Sequence, residues 1–418
     1  MNIIKAFERQ KDIYLKGISG WKSPIPFNSS ELRTLAKKHM SETAWAYIDG
    51  GASDEESIQR NRDAFNNYPI VQRFMRDSSQ ADFSSTIFNT RLPFPLLVAP
   101  IGALDMIYKN ADLEVAKGAA KAETPYIFSN QGGNSMEACA GVMGNTDRWF
   151  QLYWSKSDDL VLSFVRRAEK AGCKAIVLTV DTTMLGWRSR DLSFSYLPFL
   201  KGYGIAQYTS DPVFNDYVQN GWDGASMANV KPKFNIHTIK HLLELKSNYK
   251  GSFKDALKSA QLFTQIYTNP QLSWDNVKWL KTQTHLPLII KGILHPDDAI
   301  AAQQAGADGI VVSNHGGRQV NGCVSSIEML PFIREALPQP FKIFIDSGIR
   351  NGSDVFKAIA LGADAVLLGR PYAYGLAIGK AKGVETVIRN IQNDFELTAR
   401  LSGCRNLGEI TKDNLKLK

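Results

Sequence analysis

The stretch 342–371, KIFIDSGIRNGSDVFKAIALGADAVLLGRP, decides the fold because it contains a strand, a helix and a second strand in succession. The apolar runs KIFI and AVLL are continuous, which is typical of strands buried on both faces of a parallel sheet. Between them, SDVFKAIALGA has the spacing of an amphipathic helix. The segment therefore predicts one βα unit followed by the next strand.

The same unit repeats along the chain. Eight apolar runs begin roughly 20 to 35 residues apart, the size of one βα unit, except for one gap of about 110 residues. They are PLLVAP from Pro95, PYIFSN from Pro125, RWFQLY from Arg148, AIVLTVD from Ala175, PLIIKG from Pro287, GIVVSNH from Gly309, KIFIDSG from Lys342 and AVLLGRP from Ala365. Eight such strands predict a closed (β/α)₈ TIM barrel of the α/β class. An open doubly wound sheet is the alternative, but no GxGxxG follows the first run.

Two segments fall outside this repeat. Residues 1–94 carry Ser-rich capping signals followed by helical spacing, as in NSSELRTLAKKHMSETAWAYIDGGA, and predict an N-terminal helical extension or cap. The gap after the fourth run predicts an insertion at about 188–275, which we expect to be a loop over the active-site mouth. The barrel is expected at 95–418, within a single domain at about 25–412.

Composition and charge exclude several classes of protein. The chain has 418 residues, 44% hydrophobic and 22% charged, as in ordinary soluble globular proteins. Its four cysteines form no C-x-x-C or Cys/His cluster, so we expect neither a disulfide framework nor a metal site. The net charge of +8 is scattered, which argues against nucleic acid and favours small anionic ligands. With no secretory signal and no run of roughly 20 apolar residues, we expect a cytoplasmic protein without an integral membrane segment.

Residues of useful chemistry follow all eight runs, at the end of the strands where such barrels carry their active sites. They are Gly102 after the first run, Ser129 and Asn130 at the second, Gln151 and Tyr153 at the third, Thr179 and Asp181 at the fourth, Lys291 at the fifth, Ser313, His315 and Arg318 at the sixth, Asp346, Gly348 and Arg350 at the seventh, and Gly369 and Arg370 at the eighth. The stability of a barrel does not require these residues, because strand ends lie beyond the packed interior layers.

His315 is the strongest candidate for a general base. It stands in SNHGGRQ, where two glycines allow a tight turn that brings Arg318 back beside the imidazole. Asp181 could orient the ring and stabilise the imidazolium. The alternatives are a structural histidine and an aspartate that caps a helix or forms a simple salt bridge. The position at strand ends favours the catalytic interpretation.

Lys291 and the last two strand ends suggest cofactor chemistry. The Lys291 ammonium at the barrel mouth could form a Schiff base or stabilise negative charge on a cofactor, and its position alone leaves both open. The motifs DSGIRNG and GRP combine glycine with arginine where barrels commonly bind phosphate. Glycine as a helix cap and arginine at the surface are the alternative for each motif.

Together, the motifs FQLY, TVDTTMLGWRSRD, SNHGGRQ, DSGIRNGSDVFKAIALGADAVLLGRP and DFELTARLSGCRNL resemble the FMN-dependent L-2-hydroxy acid oxidising family, from about residue 30 to 410. The stretches GWRSRDLSFSYLPFLKG, YTSDPVF, SNHGGRQVNG and GRPYAYG are most similar to its lactate 2-monooxygenase branch. That branch oxidises L-lactate with oxygen and yields acetate, CO2 and water. The resemblance implies an FMN-binding barrel and a homo-oligomer, a tetramer or an octamer. An L-lactate oxidase or dehydrogenase that releases pyruvate, a Schiff-base lyase and a non-catalytic flavin-binding scaffold are the alternatives.

The resemblance also implies a role for each site residue. Tyr47 and Arg318 would hold the substrate carboxylate, and Arg188 and Tyr153 would line the substrate site. The implied catalytic residues are His315, which would take the hydroxyl proton, Asp181, which would support it, Tyr153, and Lys291, which would face the flavin N1/C2 carbonyl edge. The other implied cofactor contacts are Pro100, Gly102, Ser129, Gln151, Thr179, Ser313, Asp346, Gly348, Arg350, Gly369 and Arg370.

Two positions depart from parts of that family. Gly102 replaces the alanine of APIA-type lactate oxidases, and we expect it to leave space beside the flavin, which in the family accompanies monooxygenase behaviour. Gln131 lies where some glycolate-oxidising relatives carry an aromatic residue, which argues against a preference for glycolate or long-chain substrates. His39 is the only histidine in residues 1–94, and a cytochrome-type haem module would usually need two axial ligands there, so we expect no such module.

Overall fold

The computed structural model describes residues 5–224, 235–249 and 251–416. Its strands are β1 (Ser85–Ile87), β2 (Thr90–Leu92), β3 (Leu96–Val98), β4 (Tyr126–Phe128), β5 (Arg148–Tyr153), β6 (Ile176–Thr179), β7 (Leu288–Ile293), β8 (Gly309–Val312), β9 (Lys342–Ile345) and β10 (Ala365–Leu368). Strands β3 to β10 close into a barrel in which each strand pairs in parallel with its neighbours along the chain and β10 returns to β3. The predicted TIM barrel is therefore confirmed.

The helices surround the barrel and cover its mouth. They are α1 (Lys5–Gly17), α2 (Ser29–Lys38), α3 (Glu42–Asp49), α4 (Glu56–Asp63), α5 (Ala111–Lys121), α6 (Met136–Met143), α7 (Asp158–Lys170), α8 (Ser189–Ser193), α9 (Ala206–Thr209), α10 (Pro212–Asn220), α11 (Ile236–Asn248), α12 (Phe253–Ile266), α13 (Trp274–Gln283), α14 (Pro296–Gln304), α15 (Ser326–Ala336), α16 (Gly352–Ala360) and α17 (Arg370–Leu401). Helix α17 is broken at Gly379 and Lys380, which leave the helical conformation. No described helix is long and apolar enough to cross a bilayer.

The barrel strands are short and buried on both faces, which explains their continuous apolar runs. One set of side chains fills the barrel interior, including Leu97, Val177 and Phe344. The alternate residues, such as Val98 and Ile290, pack outward against the helices. Because both faces are buried, no polar alternation marks these strands in the sequence.

An antiparallel hairpin, β1 and β2, closes the N-terminal end of the barrel. Phe88 in its turn lies with its ring centroid 6.3 Å from that of Trp149 and 6.4 Å from that of Phe344. The Trp149 indole Nε1 donates a hydrogen bond to Thr90 Oγ1 at 2.8 Å. The sequence analysis expected only helices and turns before residue 95, and the hairpin corrects that expectation. Three-residue strands are too short to show a period of two.

The described part of the predicted insertion is largely helical, where the sequence analysis expected a loop. Its aromatic residues form a packed core, with the Phe263 ring centroid 4.8 Å from that of Phe199 and 4.7 Å from that of Tyr208. Among its described residues, only Arg188 lines the cavity at the barrel mouth. The residues 225–234 and 250 of this prediction lie outside the described part of the chain.

Candidate functional site

A cavity of about 960 Å³, including its open mouth, lies at the C-terminal ends of the barrel strands. Fifteen predicted site residues line it: Tyr47, Pro100, Gly102, Gln151, Tyr153, Thr179, Arg188, Lys291, His315, Arg318, Asp346, Gly348, Arg350, Gly369 and Arg370. The other three, Ser129, Asp181 and Ser313, each contact a lining residue through a hydrogen bond.

His315 and Asp181 form a hydrogen-bonded pair at the ends of β8 and β6. His315 Nδ1 lies 2.7 Å from Asp181 Oδ1, which leaves Nε2 as the ring nitrogen available to a substrate. The His315 backbone is left-handed, with φ of 57°, and its N–H donates to Ser313 Oγ at 3.0 Å. Gly316 and Gly317 also have positive φ, so the two glycines do make the tight turn that the sequence predicted.

The electrostatics of this pair suit a general base. Burial lowers the pKa of His315 below its ordinary value, and the nearby Asp181 only partly opposes this effect. Burial alone would raise the pKa of Asp181, but its interactions with His315, with the charge of Lys291 and with the Thr182 hydroxyl bring it below its ordinary value. Near neutral pH the imidazole is therefore neutral and the carboxylate ionised, which are the protonation states required to accept a proton and to stabilise the resulting imidazolium.

Thr182 is a polar residue of the site that the sequence analysis missed. Its Oγ1 donates to Asp181 Oδ1 at 2.9 Å and lies 3.2 Å from His315 Nδ1. A hydroxyl there helps to fix the carboxylate against the ring. The only signal in the sequence was its position directly after Asp181. The other cavity-lining residues without a predicted role are Ile48, Ala99, Ile101, Gln131, Leu185, Gly316, Ser347, Ile349 and Leu367.

Arg318 and Arg188 bring two guanidinium groups to the same cavity. Arg318 Nη1 donates to the carbonyls of Tyr47 and Gly50, and its guanidinium lies 4.7 Å from the centroid of the Tyr47 ring. Burial, with the charge of Arg188 beside it, lowers the pKa of Arg318 to about 9. No carboxylate of the described residues forms an ion pair with Arg318 or Arg188. The nearby His315 and Lys291, by contrast, are each paired with an aspartate. The Asp191 carboxylate acts electrostatically on both guanidinium groups but forms no ion pair with either. Two buried guanidinium groups without an ion-paired carboxylate suit a small anion.

A second cationic region lies at the ends of β9 and β10. Burial lowers the pKa of Arg350 to about 10, and no described carboxylate forms an ion pair with its side chain. A Cβ added to Gly369 would meet no heavy atom within 4 Å, so this backbone is open to a ligand. Gly348, with φ of 100°, has no such space, because an added Cβ would collide with the Asn61 carbonyl. Glycine, arginine and open backbone together suit a phosphate group.

Arg370 is tied into the backbone more tightly than the sequence suggested. Its Nε donates to the Ile48 carbonyl at 3.1 Å, its Nη1 to Gly316 at 2.9 Å and its Nη2 to Gly50 at 2.9 Å. The side chain therefore joins the end of α3 to the turn that carries His315. Its predicted phosphate contact would be made with the remaining N–H groups and stays a prediction.

Lys291 is a fixed cation inside the cavity. Its Nζ donates to Ser313 Oγ at 2.8 Å and lies 2.9 Å from Asp346 Oδ2. Burial lowers the pKa of Lys291, but the charges of Asp346 and Asp181 outweigh this effect and raise it above the ordinary value. The amine is therefore protonated near neutral pH. This state disfavours Schiff-base formation, which needs a neutral amine, and favours the stabilisation of negative charge.

Comparison with known proteins agrees with this geometry. The family model described as FMN-dependent dehydrogenase matches residues 36–417. The chain belongs to this family. It is 37% identical over 413 residues to an L-lactate oxidase of Lysinibacillus sphaericus (strain C3-41), covering 97% of this chain and 98% of the relative. It is 35% identical to glycolate oxidase 1 of Zea mays, over 93% of this chain and 95% of that protein.

A solved structure of mandelate oxidase with (S)-4-hydroxymandelic acid has the same fold. It superposes with a TM-score of 0.76 at 31% identity and covers 94% of this chain and 99% of its own. With these relatives, the chain is an FMN-dependent 2-hydroxy acid oxidoreductase, as the sequence motifs predicted.

The residues that line the cavity of this FMN-dependent dehydrogenase suit the two ends of the cofactor. Arg350 and the open backbone at Gly369 would hold the phosphate, and the Lys291 ammonium would lie beside the electron-accepting ring. Gln151 is fixed for such a contact, because its Nε2 donates to Thr179 Oγ1 at 3.2 Å and its Oε1 accepts from Asn130 N at 3.1 Å. The individual FMN contacts stay predictions.

Gly102 in this dehydrogenase does not leave the space that we expected from the sequence. A Cβ added there would lie 2.9 Å from Gln131 Cβ and 3.1 Å from Gln131 Oε1. The volume freed by the missing methyl group is therefore taken up by Gln131. The packing of Gln131 therefore requires a glycine at position 102, and this relation is not visible in the sequence when either residue is considered alone.

Proposed function

We propose that the protein oxidises L-lactate with oxygen as the electron acceptor. One observation carries the proposal: an imidazole paired with a buried carboxylate shares a cavity with two guanidinium groups that form no ion pair with a described carboxylate. A 2-hydroxy acid matches this pattern, because its carboxylate and its reacting hydroxyl are on adjacent atoms. The small L-lactate substrate follows from the sequence motifs and agrees with the named function of the Lysinibacillus relative.

In the proposed mechanism, Arg318 and Tyr47 hold the substrate carboxylate, and Arg188 and Tyr153 line the remainder of the substrate site. Binding of the substrate carboxylate between the guanidinium groups gives them an ion-pair partner and directs the hydroxyl towards His315 Nε2. His315 accepts the hydroxyl proton. Asp181 stabilises the imidazolium that results and keeps the ring in its tautomer.

FMN, when bound, accepts the α-hydrogen and two electrons of the substrate. Lys291 is held by Asp346 where its charge would favour a reduced, anionic ring. The chain's part in this step is to fix that positive charge and to exclude water from the cavity.

We propose further that oxygen takes up the two electrons to form peroxide, and that this peroxide oxidises the pyruvate still bound in the cavity to acetate, CO2 and water, as in lactate 2-monooxygenases. The motifs around Arg188 and Arg318 support this outcome. A lactate oxidase that releases pyruvate and peroxide is the second candidate. The crowding between Gly102 and Gln131 favours this candidate, because the glycine does not enlarge the cavity.

The deciding experiment mixes the purified flavoprotein with L-lactate under nitrogen and then admits oxygen. Bleaching of the flavin followed by acetate supports the monooxygenase, and pyruvate with an equal amount of peroxide supports the oxidase. A yellow protein that L-lactate does not bleach would refute both and leave the binding scaffold. His315→Gln is the matched variant, expected to retain FMN while flavin reduction slows by orders of magnitude.

The assembly and the compartment also remain proposals. A homo-oligomer, tetramer or octamer, would be seen by light scattering of the purified protein. A cytoplasmic location agrees with the sequence, whereas a relative from Arabidopsis thaliana is named as a peroxisomal (S)-2-hydroxyacid oxidase. Fluorescence microscopy of the tagged full chain distinguishes the two compartments.

A further inference from the structure

Gln131 presents an amide to the cavity that has no hydrogen-bond partner among the described residues. The residue is only 7% exposed, and it lines the same cavity as His315. Its backbone groups are both used: its N–H donates to Ser129 Oγ at 3.1 Å, and its carbonyl accepts from Ala103 N at 2.8 Å. The side-chain amide alone is left for a ligand, since buried polar groups are almost always paired.

The surrounding chain packs closely against the backbone and the Cβ of Gln131. A Cβ on Gly102 would lie 2.9 Å from Gln131 Cβ, and a Cβ on Gly204 would lie 2.9 Å from the Gln131 carbonyl oxygen. The next residue is also fixed, because Gly132 accepts a hydrogen bond from Ala206 N at 3.0 Å. Glycines on both sides therefore allow the close approach of the Gln131 backbone and Cβ to the neighbouring chain.

The amide lies beside the part of the cavity where the substrate is expected. Asn130, the residue before it, accepts a hydrogen bond from Tyr153 N at 3.0 Å through Oδ1. The electrostatic neighbours of the Tyr153 hydroxyl are Asp181, Tyr47 and Arg188. The strand end that carries Gln131 is thus hydrogen-bonded to the strand end that carries Tyr153, whose hydroxyl interacts with residues of both the base and the anion site.

A substrate that carries only a methyl group would leave this amide unpaired once water is excluded. We infer that Gln131 selects 2-hydroxy acids with a hydrogen-bonding group on C3, such as L-glycerate, which is L-lactate with a hydroxyl on its methyl carbon. The amide can both donate to and accept from that hydroxyl. This inference rests on the proposed oxidation of small L-2-hydroxy acids, and within that class it makes L-glycerate the preferred substrate and L-lactate a poorer one.

The test compares kcat/KM for L-glycerate and L-lactate in the wild type and in Gln131→Leu, which keeps the volume but removes the amide. We expect the wild type to prefer L-glycerate. We expect the variant to lose about tenfold to a hundredfold of its kcat/KM for L-glycerate while L-lactate changes much less. Gln392→Leu is the control, because Gln392 is a buried glutamine bonded to Thr124 Oγ1 outside the cavity.

Three results would overturn the inference. They are a wild type that prefers L-lactate, an equal loss for both substrates in Gln131→Leu, and a loss of bound FMN in that variant, which would mean that the amide contacts the flavin. Failure of the proposed function would give a different result from failure of this inference, because neither hydroxy acid would then bleach the wild-type flavin under nitrogen. Retention of the flavin absorbance in Gln131→Leu shows that the variant is folded.

Discussion

Replacing Asp181 by Asn is expected to slow flavin reduction by roughly 30-fold to 1000-fold while FMN stays bound. The carboxylate accepts from His315 Nδ1 at 2.7 Å, and the two side chains are only 11% and 18% exposed. Charges about 4 Å apart at an effective dielectric constant of about 20 attract each other by about 4 kcal/mol. If half to all of that attraction is present in the transition state, the loss is about 2 to 4 kcal/mol, which corresponds to the stated range.

The pH dependence provides a second readout of the same pair. His315 must be neutral to accept a proton, so kcat/KM rises as the pH passes upward through its pKa, which burial holds below the ordinary value. Asp181 is the main group that raises this pKa. In Asp181→Asn we therefore expect the acid limb of the profile to move to lower pH.

The assay is anaerobic stopped-flow reduction by L-lactate, with bound FMN measured by absorbance. Asp308→Asn is a matched control, because Asp308 accepts from Leu288 N at 2.7 Å just before β8, at the opposite end of the barrel. A reduction rate in Asp181→Asn equal to that of the control, or an acid limb that moves to higher pH, would refute the reasoning.

Three further changes test other parts of the molecule. Lys291→Met should lower the midpoint potential of the bound flavin, measured by reductive titration, because the reduced ring loses its positive neighbour. Gly102→Ala should cost about 1 to 3 kcal/mol in denaturant unfolding, since its Cβ would lie 2.9 Å from Gln131 Cβ. Gly383→Ala should lower the calorimetric Tm by several degrees, because its Cβ would collide with the Gly375 carbonyl across the break in α17.

The barrel could be predicted because its physical signal is strong. Strands buried on both faces must be continuously apolar, and eight such runs are visible without any alignment. The hairpin that closes the barrel gives no such signal, because its strands have three residues each and its stabilising contacts are to Trp149 and Phe344, far along the chain. Its position depends on the tertiary structure rather than on a local pattern.

The residues of the candidate site also divide into those with a local signal in the sequence and those whose role depends on the tertiary structure. Residue type and position at a strand end were enough to select His315, Lys291 and Arg318. They could not reveal Thr182. A threonine after a strand is common, and its role in the site depends on its distances to Asp181 and His315. The crowding of Gly102 by Gln131 was also inaccessible, since it joins the ends of two different strands.

The N-terminal segment must be counted as part of the site rather than as a cover for it. Arg318 and Arg370 both donate to the Gly50 carbonyl at 2.9 Å, so the end of α3 orients two guanidinium groups at once. Asn61 of α4 and Asn314, the residue before His315, exchange two buried hydrogen bonds of 2.7 and 2.8 Å. A buried guanidinium without such carbonyl partners would be both unsatisfied and free to move. The barrel carries the base and the cofactor lysine, but the geometry of the anion site requires the helices that precede it.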